Sequence, residues 1–477
     1  MNFILLPTFF IDNALLDDLY HSCKNVFFEY NNKKGVRIMG KNINAVILAA
    51  GKGTRMKSET SKVLHKIFDK TLLGYVLDSV NKTGLIDKSF VIVGHQAEEV
   101  EKFVMRNYDN ASTVLQSPQL GTGHAVSMVC PQLENFDGEV IILCGDTPLI
   151  CEKTLKNFIE FHKSKNSDLT VMSAIFDDPT NYGRIVRDGD KLSSIIEEKD
   201  ASPAQKKIKE VNAGIYCLNW KKVKPAFSQL TSNNAQGEYY LTDIISWGGK
   251  SGLNVNAFVL ENNEEIFGIN SKAHLAEATK LLNQKTINKH MENGVTIVDP
   301  STVWISDETQ IGADTIIYPS VYITGKNIIG SKCSIGPFAH IRGEVELGDC
   351  VKIGNFVEVK KSKIASNTNA CHLTYIGDAE IGSNVNVGAG TITANYNHST
   401  KAKNKTKIKD NASIGSNSVL VAPVEIGKSS TVAAGTVITK DVEDKAVAFA
   451  RAPMRIIENY IKYGYNFYWG FKNDEKI

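Results

Sequence analysis

A glycine-rich turn flanked by two cations opens the part of this sequence that can do chemistry. Gly51-Lys52-Gly53-Thr54-Arg55 follows an apolar run from Ala45 to Ala50, and Lys62 stands seven residues beyond Arg55. The backbone amides of such a turn can cradle phosphates, Arg55 can offer a bidentate fork, and Lys62 can reach the same place. Two cations beside an amide-rich loop suit a triphosphate, whose charge must be neutralised before an anionic nucleophile approaches. The segment is not a P-loop, because the Gly-Lys-Ser/Thr ending is missing, and it lacks the sixth-position glycine of the dinucleotide fingerprint. Taken alone it is a weak signal. Cys144-Gly145-Asp146-Thr147-Pro148 adds a carboxylate at the end of a second buried run, Glu139 to Cys144. An acid there is more often a turn or cap residue than a metal ligand. Opposite a phosphate loop the balance reverses, because Mg²⁺ takes one or two carboxylates plus substrate phosphates.

The elements that position these residues follow from periodicity. Short apolar runs at Ala45 to Ala50, Ser89 to Val93, Thr113 to Leu115, Glu139 to Cys144 and Leu169 to Ser173 read as buried strands. Amphipathic stretches such as Leu72 to Val80 and Ala97 to Met105 lie between them, so an α/β unit with a mostly parallel sheet is expected. Ligands of such sheets sit beyond the carboxyl ends of the strands, where both the glycine turn and Asp146 fall. Around Ser271 the spacing becomes helical through Leu275, Ala278, Leu281, Leu282 and Met291, and Gly294 supplies a stop.

Beyond that helix the period is six. Ile305, Ile311, Ile317, Ile323, Ile329, Ile335, Ile341, Leu347, Ile353 and Val359 share one register. Glycine follows at Gly312, Gly330, Gly336, Gly348 and Gly354. A helix would need spacings of three and four and a lone strand two, so six predicts a parallel β-helix of hexapeptide repeats with glycine at its corners. The register slips at Ile364, slips again at Ile381, breaks after Val387, and returns at Ile408, Ile414, Leu420, Ile426, Val432 and Ile438. The gap between Thr393 and Ile408 must loop out of the prism, and insertions in solenoids are the usual binding elements. It carries Asn395-Tyr396-Asn397 and a basic run at Lys401, Lys403, Lys405 and Lys407.

Composition narrows the partners. A hydrophobic fraction of 42% with 22% charged residues describes an ordinary globular protein. A net charge of +2 gives no reason to expect nucleic acid or a membrane as the main partner. The eight cysteines form no Cys-x-x-Cys pair, and the Cys371-His372 doublet lacks zinc-site spacing, so reduced thiols are expected. The apolar stretch from Asn2 to Phe10 contains Pro7, is cut off by Asp12 and is too short to span a bilayer. Met39 is read as the natural start, because Lys33-Lys34-Gly35-Val36 back-translates to a purine-rich ribosome-binding sequence, which makes 1–38 a non-native or disordered leader.

Several motifs together carry a resemblance. Leu48-Ala49-Ala50-Gly51-Lys52-Gly53-Thr54-Arg55-Met56 with Lys62-Val63-Leu64-His65 resembles the opening of sugar-1-phosphate nucleotidyltransferases. Gln116 with Gly121 to Ala125, Tyr182 to Ile185, Glu197 to Asp200, Asn212 to Gly214 and Asn234 to Tyr240 narrow it. With the β-helix, the chain from Met39 to about Pro453 is similar to the bacterial bifunctional N-acetylglucosamine-1-phosphate uridyltransferase/glucosamine-1-phosphate N-acetyltransferase family. That resemblance implies a Rossmann-like nucleotidyltransferase domain at 39–270, a linker helix at 271–294, a left-handed β-helix acetyltransferase domain at 295–445 and a tail at 446–477. It places UTP on Leu48, Ala49, Ala50, Gly51, Lys62, Gln116, Gly121 and Thr122, with Arg55 and Lys62 catalytic through the triphosphate. Asp146 and Asn270 would bind Mg²⁺, Asn270 as a ligand from the domain's last strand. Gly183, Glu197 and Asn212 would contact the amino sugar.

In the second domain the resemblance makes His372, near Glu358, the general base for acetyl transfer. Arg342, Lys360, Tyr375, Asn386 and Lys403 would hold glucosamine 1-phosphate, and Asn395, Tyr396, Ser416, Ala434 and Arg451 would contact acetyl-CoA. The implied protein is a homotrimeric cytoplasmic enzyme that acetylates glucosamine 1-phosphate and then joins N-acetylglucosamine 1-phosphate to UTP, feeding peptidoglycan and lipopolysaccharide precursors. Departures are visible. Ser61 replaces the usual proline before Lys62 and is expected to loosen the turn that aims it; Gly343 replaces proline after Arg342; Asn397 replaces aspartate; and the prism ahead of Arg342 is shorter than usual. Two rivals stand beside this reading. One is a nucleotidyltransferase whose β-helix serves only assembly, as in ADP-glucose pyrophosphorylases; the other is a scaffold that keeps both folds without catalysis.

Overall fold

The computed structural model describes residues 42–450, with Met454 and Ile456. The leader reading of 1–38, the Arg451 contact and most of the 446–477 tail lie outside the described residues. Contacts divide the chain into two units, Met1–Leu281 and Leu282–Ile477, the division falling inside the helix Lys272–Glu292.

The first unit is built on central strands buried on both faces, whereas the edge strand Ala111–Leu115, expected to be buried, leaves Ser112 and Leu115 exposed and buries only Val114 because it has a neighbour on one side alone. Ser89–Val93 is buried throughout and Ile43–Leu48 nearly so, as Val/Ile-rich runs between two helical layers must be. Hydrogen-bonded neighbours run in the order Val255–Val259, Leu169–Ile175, Glu210–Asn219, Glu139–Cys144, Ile43–Leu48, Ser89–Val93, Ala111–Leu115. Pairing is parallel except that Glu210–Asn219 runs antiparallel to both of its neighbours, and the hairpin Arg184–Asp188/Lys191–Ile196 hangs from it. Helix Leu72–Lys82 starts where the Thr71 hydroxyl accepts the Gly74 N–H at 3.0 Å. Leu48 pairs with Cys144, so the glycine turn and the Asp146 loop leave the sheet side by side.

In the second unit, the described strands form three parallel sheets of nine, eight and seven members, the three faces of a prism. Each inward aliphatic lies on its counterpart one coil earlier: Ile305 on Ile323, Ile323 on Ile341, Ile341 on Val359. One continuous core from Ile287 to Val442 results, with Ile311 the member of the six-residue register that is only half-buried. The helix Lys272–Glu292 closes the open end. Ile287 is fully buried in this core, and the Asn283 amide donates to Val303 O at 2.8 Å and accepts from Ile305 N at 2.9 Å. Those bonds satisfy first-coil groups that have no preceding coil to pair with.

Of the five corner glycines, Gly336 has the left-handed φ of 98° that a turn requires, and the others differ from expectation in their reason. Most corners turn through left-handed residues that are not glycine, among them Asp314, Lys332, Cys350 and Asn367. Gly312, Gly330 and Gly348 have ordinary φ but no room. A Cβ on Gly330 would lie 2.6 Å from the Gly348 carbonyl carbon, and one on Gly348 would lie 2.7 Å from Ser366 N. Glycine is required there by coil-to-coil approach, not by turn geometry. The two register slips are corners shortened by one residue, each turning on a single left-handed residue, Lys361 and then Asp378.

Among the described residues no helix is long and apolar enough to cross a membrane. Because the obstacle at Gly330 is backbone, Gly330→Ala is expected to destabilise the second unit by about 1–3 kcal/mol, the usual cost of overpacking. A lower midpoint in urea denaturation, followed by circular dichroism, measures it.

Candidate active sites

The first site grows from the paired strand ends. A cavity of about 460 Å³ lies at the carboxyl edge, lined by Leu48, Ala49, Ala50, Gly51, Lys62, Gln116, Gly121 and Thr122 together with Lys52, Gln119, Cys144, Asp146 and Glu238. That volume suits a nucleotide-sized ligand. Every residue expected to hold UTP is in the lining. Gly121 is held there by geometry: its φ is 113°, and a Cβ would meet Tyr239 O at 2.6 Å. Arg55 is not in the lining; it sits exposed on the short 3-10 turn Thr54–Met56. Gln119, whose amide donates to Ala50 O at 2.9 Å, and Glu238 were not singled out from sequence, although both fall within or beside the motifs noted above.

Lys62, Asp146 and Asn270 meet from three distant segments. The Lys62 ammonium donates to Asp146 Oδ2 and, at 3.2 Å, to Asn270 Oδ1. Asn270 lies not on the last strand, Val255–Val259, but on a segment further along the chain. That segment is tied down twice: Ile269 N donates to Asp146 O at 3.0 Å, and Glu265 accepts from Cys151 N and the Thr154 hydroxyl, both at 3.0 Å. A carboxylate that lines the cavity and an amide oxygen that meets it at Lys62 form the hard oxygen set that a divalent ion such as Mg²⁺ prefers, and Lys62 already seats a cation against both. Burial pushes the neighbouring Cys144 thiol up to about 12, which makes it a packing residue, not a nucleophile.

Ser61 keeps the turn that proline would give. Its φ of −51° lies in the proline range, and its N–H donates to nothing among the described residues, so the expected loosening is not seen. Gly343 is the opposite case. Its φ of 71° is closed to proline, so the corner after Arg342 follows a path that a proline-bearing chain cannot.

The three residues expected to contact the amino sugar lie together. A Cβ on Gly183 would lie 3.5 Å from Glu197 Oε2 and 3.6 Å from Asn212 Cβ, and Asn212 N donates to Gly183 O at 2.9 Å. Burial, opposed by a hydrogen bond from Thr242 and reinforced by Asp200, Asp243 and Glu238, holds the Glu197 carboxyl above its ordinary value. The turn is braced by Arg184, almost fully buried, whose guanidinium pairs with Glu198 at 2.7 Å.

The second site is laid out by the prism. Arg342 pairs with Lys360 one coil on, and burial, then Arg342, then Lys403 hold the Lys360 ammonium below its usual range. Three cations therefore crowd one face, an arrangement that a phosphate dianion would relieve. The loop between Ala394 and Thr406 closes as a hairpin, with Asn397 N donating to Ala402 O at 2.9 Å and Asn404 N to Asn395 O at 2.8 Å. The Asn397 side chain accepts from Ser399 N and Thr400 N, the turn an aspartate would make. Asn395 is buried and donates to Asp378, Tyr396 is exposed, and Lys405 is spent on Glu380 at 2.6 Å.

His372 stands exposed at the next edge of the prism. Gly390 N donates to His372 O, Asn417 N to Ala389 O and Gly435 N to Ser416 O, which stacks His372, Ala389, Ser416 and Ala434 in one column. At a strand spacing of about 4.8 Å, Ser416 is roughly 10 Å from His372 along that edge. Tyr375 begins the strand that leaves the corner toward the cations. The Glu358 carboxylate, noted near His372, is held by Arg342 Nε at 2.8 Å and by Arg342 Nη2 at 2.5 Å. One expectation is corrected. Asn386 lies on a different face from Arg342 and Lys360, in the sheet that also holds Asn369 and Ser413, so one chain does not bring the whole set together.

Glu139, His162 and Cys217 form a further group with donor atoms close enough for a metal. Both ring nitrogens of His162 are already engaged, by Thr170 at 2.8 Å and Glu139 at 3.0 Å, and burial holds the Cys217 thiol well above its ordinary value. The group reads as a polar pin between helix Glu152–Ser164 and the sheet.

Comparison with known proteins places these sites in context. A family model described as nucleotidyl transferase matches residues 44–290, and one described as bacterial transferase hexapeptide (six repeats) matches 328–361 and 405–440. The chain is similar to the bifunctional protein GlmU of Geobacillus thermodenitrificans, 44% identical over 451 residues that cover 87% of this chain and 97% of that protein. It is 42% identical over 451 residues to the bifunctional protein GlmU of Acetivibrio thermocellus, covering 87% of this chain and 96% of that one. The bifunctional protein GlmU of Clostridioides difficile is 42% identical over 456 residues, 88% of this chain and 98% of its own.

Two substitutions test the first site. Ser61→Pro is expected to raise stability by about 0.4–1 kcal/mol, read as a higher melting temperature, because the native φ already fits. Glu197→Gln is expected to raise the melting temperature at neutral pH. The folded state holds ionised Glu197 less well than the unfolded chain does, so the gain is full above the raised carboxyl value and vanishes as pH falls below the ordinary one. Melting curves across that range check the sign.

Proposed function

The chain belongs to the family of bifunctional GlmU proteins, and on that premise we propose that it makes UDP-N-acetylglucosamine in two steps, one in each unit. The observation that carries this reading is the presence of two separate constellations in one chain. Lys62, Asp146 and Asn270 adjoin a cavity of nucleotide size, and Arg342, Lys360 and Lys403 gather on the face next to the edge that carries His372. We keep 39–270, 271–294 and 295–445 as the functional division.

In the first step the amine of glucosamine 1-phosphate gives a proton to His372 and attacks the thioester carbon of acetyl-CoA. The carbon–sulfur bond breaks and the sulfur leaves as the thiol, taking up a proton. Arg342, Lys360 and Lys403 hold the sugar phosphate, with Tyr375 beside the base, while Asn395, Tyr396, Ser416 and Ala434 contact the coenzyme. In the second step a phosphate oxygen of N-acetylglucosamine 1-phosphate attacks the α-phosphorus of UTP in line, and pyrophosphate departs. No side-chain nucleophile is needed, so orientation and charge neutralisation supply the rate. Gln116 and Gly121 orient the base, Arg55 and Lys62 the triphosphate, and Gly183, Glu197 and Asn212 the sugar. Asp146 and Asn270 would hold Mg²⁺, which when bound neutralises phosphate charge.

We assign the protein to the cytoplasm and to a homotrimer built through the β-helix. Supporting the trimer, Phe338, Phe356 and Leu373 stand exposed beside His372, the two rings stacked at 5.1 Å, and Asn386 faces away from the cations it would join. A second copy would bury the first group and bring the second alongside.

Purified protein given glucosamine 1-phosphate and acetyl-CoA is expected to release free thiol, and UTP with N-acetylglucosamine 1-phosphate is expected to release pyrophosphate. His372→Ala should lower thiol release roughly 10²–10⁴-fold, the usual weight of a general base, and leave pyrophosphate release intact. Pyrophosphate without thiol from the unaltered protein would reduce the β-helix to an assembly module.

A further inference from the structure

Lys62 holds the oxygens that a metal ion would use. Its ammonium lies against both Asp146 Oδ2 and Asn270 Oδ1, and the side chains of Lys62 and Asp146 are only 15% and 18% exposed. Neither acceptor has much freedom. Asp146 ends a loop pinned by Ile269, and the Asn270 amide nitrogen is turned toward Gly268 O at 3.5 Å, which aims its oxygen at the lysine. In so shielded a place two cations on one carboxylate repel strongly, so whichever holds the pair of oxygens excludes the other.

The lysine has somewhere else to go. Its stem lies on Gly53, where an added Cβ would meet Lys62 Cβ at 2.8 Å, and Lys62 lines the same cavity as Gly51 and Lys52. A four-carbon stem rooted beside the glycine turn can swing its ammonium from Asp146 to the phosphate cradle with no change in the backbone. We propose that Lys62 and the divalent ion compete for Asp146 and Asn270, so that ion binding redirects the lysine to the triphosphate. This rests on the reading of those two residues as ion ligands. It adds a coupling: ion and nucleotide favour each other through Lys62 as well as through direct contact, and by linkage the effect is reciprocal.

The test measures Mn²⁺ binding to the full chain by electron paramagnetic resonance, with and without UTP, in the absence of sugar phosphate. Without UTP, Lys62→Met is expected to bind Mn²⁺ roughly tenfold tighter than the unaltered chain, within the span of about 5–150-fold typical of coupled sites. Lys62→Arg, which keeps a cation there, should stay near the unaltered value. UTP should tighten Mn²⁺ less in Lys62→Met than in the unaltered chain. Lys62→Gln, which can still hydrogen-bond Asp146, serves if Lys62→Met misfolds by circular dichroism, and should shift in the same direction. Asp146→Asn separates the two ideas. If it abolishes binding while Lys62→Met and Lys62→Gln bind no tighter than the unaltered chain, competition is wrong and the ligand assignment stands. If Asp146→Asn binds Mn²⁺ as the unaltered chain does, the ligand assignment fails and the proposal with it.

Discussion

The parallel backbone ladder is the constraint on which both units depend. When each strand lies beside the next in register, residues at equal positions stack, and any property repeated in sequence becomes a column in space. In the prism this gives a column of aliphatics inside and columns of functional groups outside: Arg342 on Lys360 on one face, His372 below Ser416 and Ala434 at an edge. In the first unit the same rule works once. Leu48 is level with Cys144, so a glycine-rich turn and a carboxylate emerge at one edge although nearly a hundred residues separate them.

The two sites manage charge in opposite ways. In the first, a cation and a carboxylate neutralise each other inside the protein, and Glu197 sits among other acids where its charge is poorly tolerated. In the second, Arg342 is paired with Glu358, while among the described residues Lys360 and Lys403 have no ion pair and Lys403 helps hold the Lys360 ammonium below its usual range. A site proposed to receive a triphosphate with a metal and one proposed to receive a sugar phosphate would be expected to differ in this way.

How much of this could be read in the sequence depended on whether burial left a mark. The period of six survives because each prism edge needs one inward aliphatic whatever surrounds it, and four of the five strands read from apolar runs are largely buried; the fifth, Ala111–Leu115, buries only Val114. Arg184–Asp188, Lys191–Ile196 and Val255–Val259 were missed because their burial is partial and mixed. The reversed direction of Glu210–Asn219 leaves no trace in hydrophobicity. Lys62 and Asp146 announced themselves by residue type and place. Asn270 came only through family resemblance, since an amide on an irregular segment has no local signature. The corner glycines other than Gly336 were found for the wrong reason, because a sequence shows glycine but not the neighbouring coil that forbids a side chain. That Asn386 and Lys360 face apart is a matter of phase around the prism, fixed by corners that a register of aliphatics records only as a slip.

The coil length of the prism has a meaning for how such a chain can change length. Eighteen residues separate Ile305 from Ile323, and a full coil gained or lost there would slide everything beyond it along the axis without rotating it. One residue gained or lost outside a corner would instead turn every later column away from its neighbours, inward aliphatics included. Length drift in such a prism is therefore quantised outside its corners: whole storeys can be trimmed, and a single residue is lost only where a corner absorbs it, as at Lys361 and Asp378.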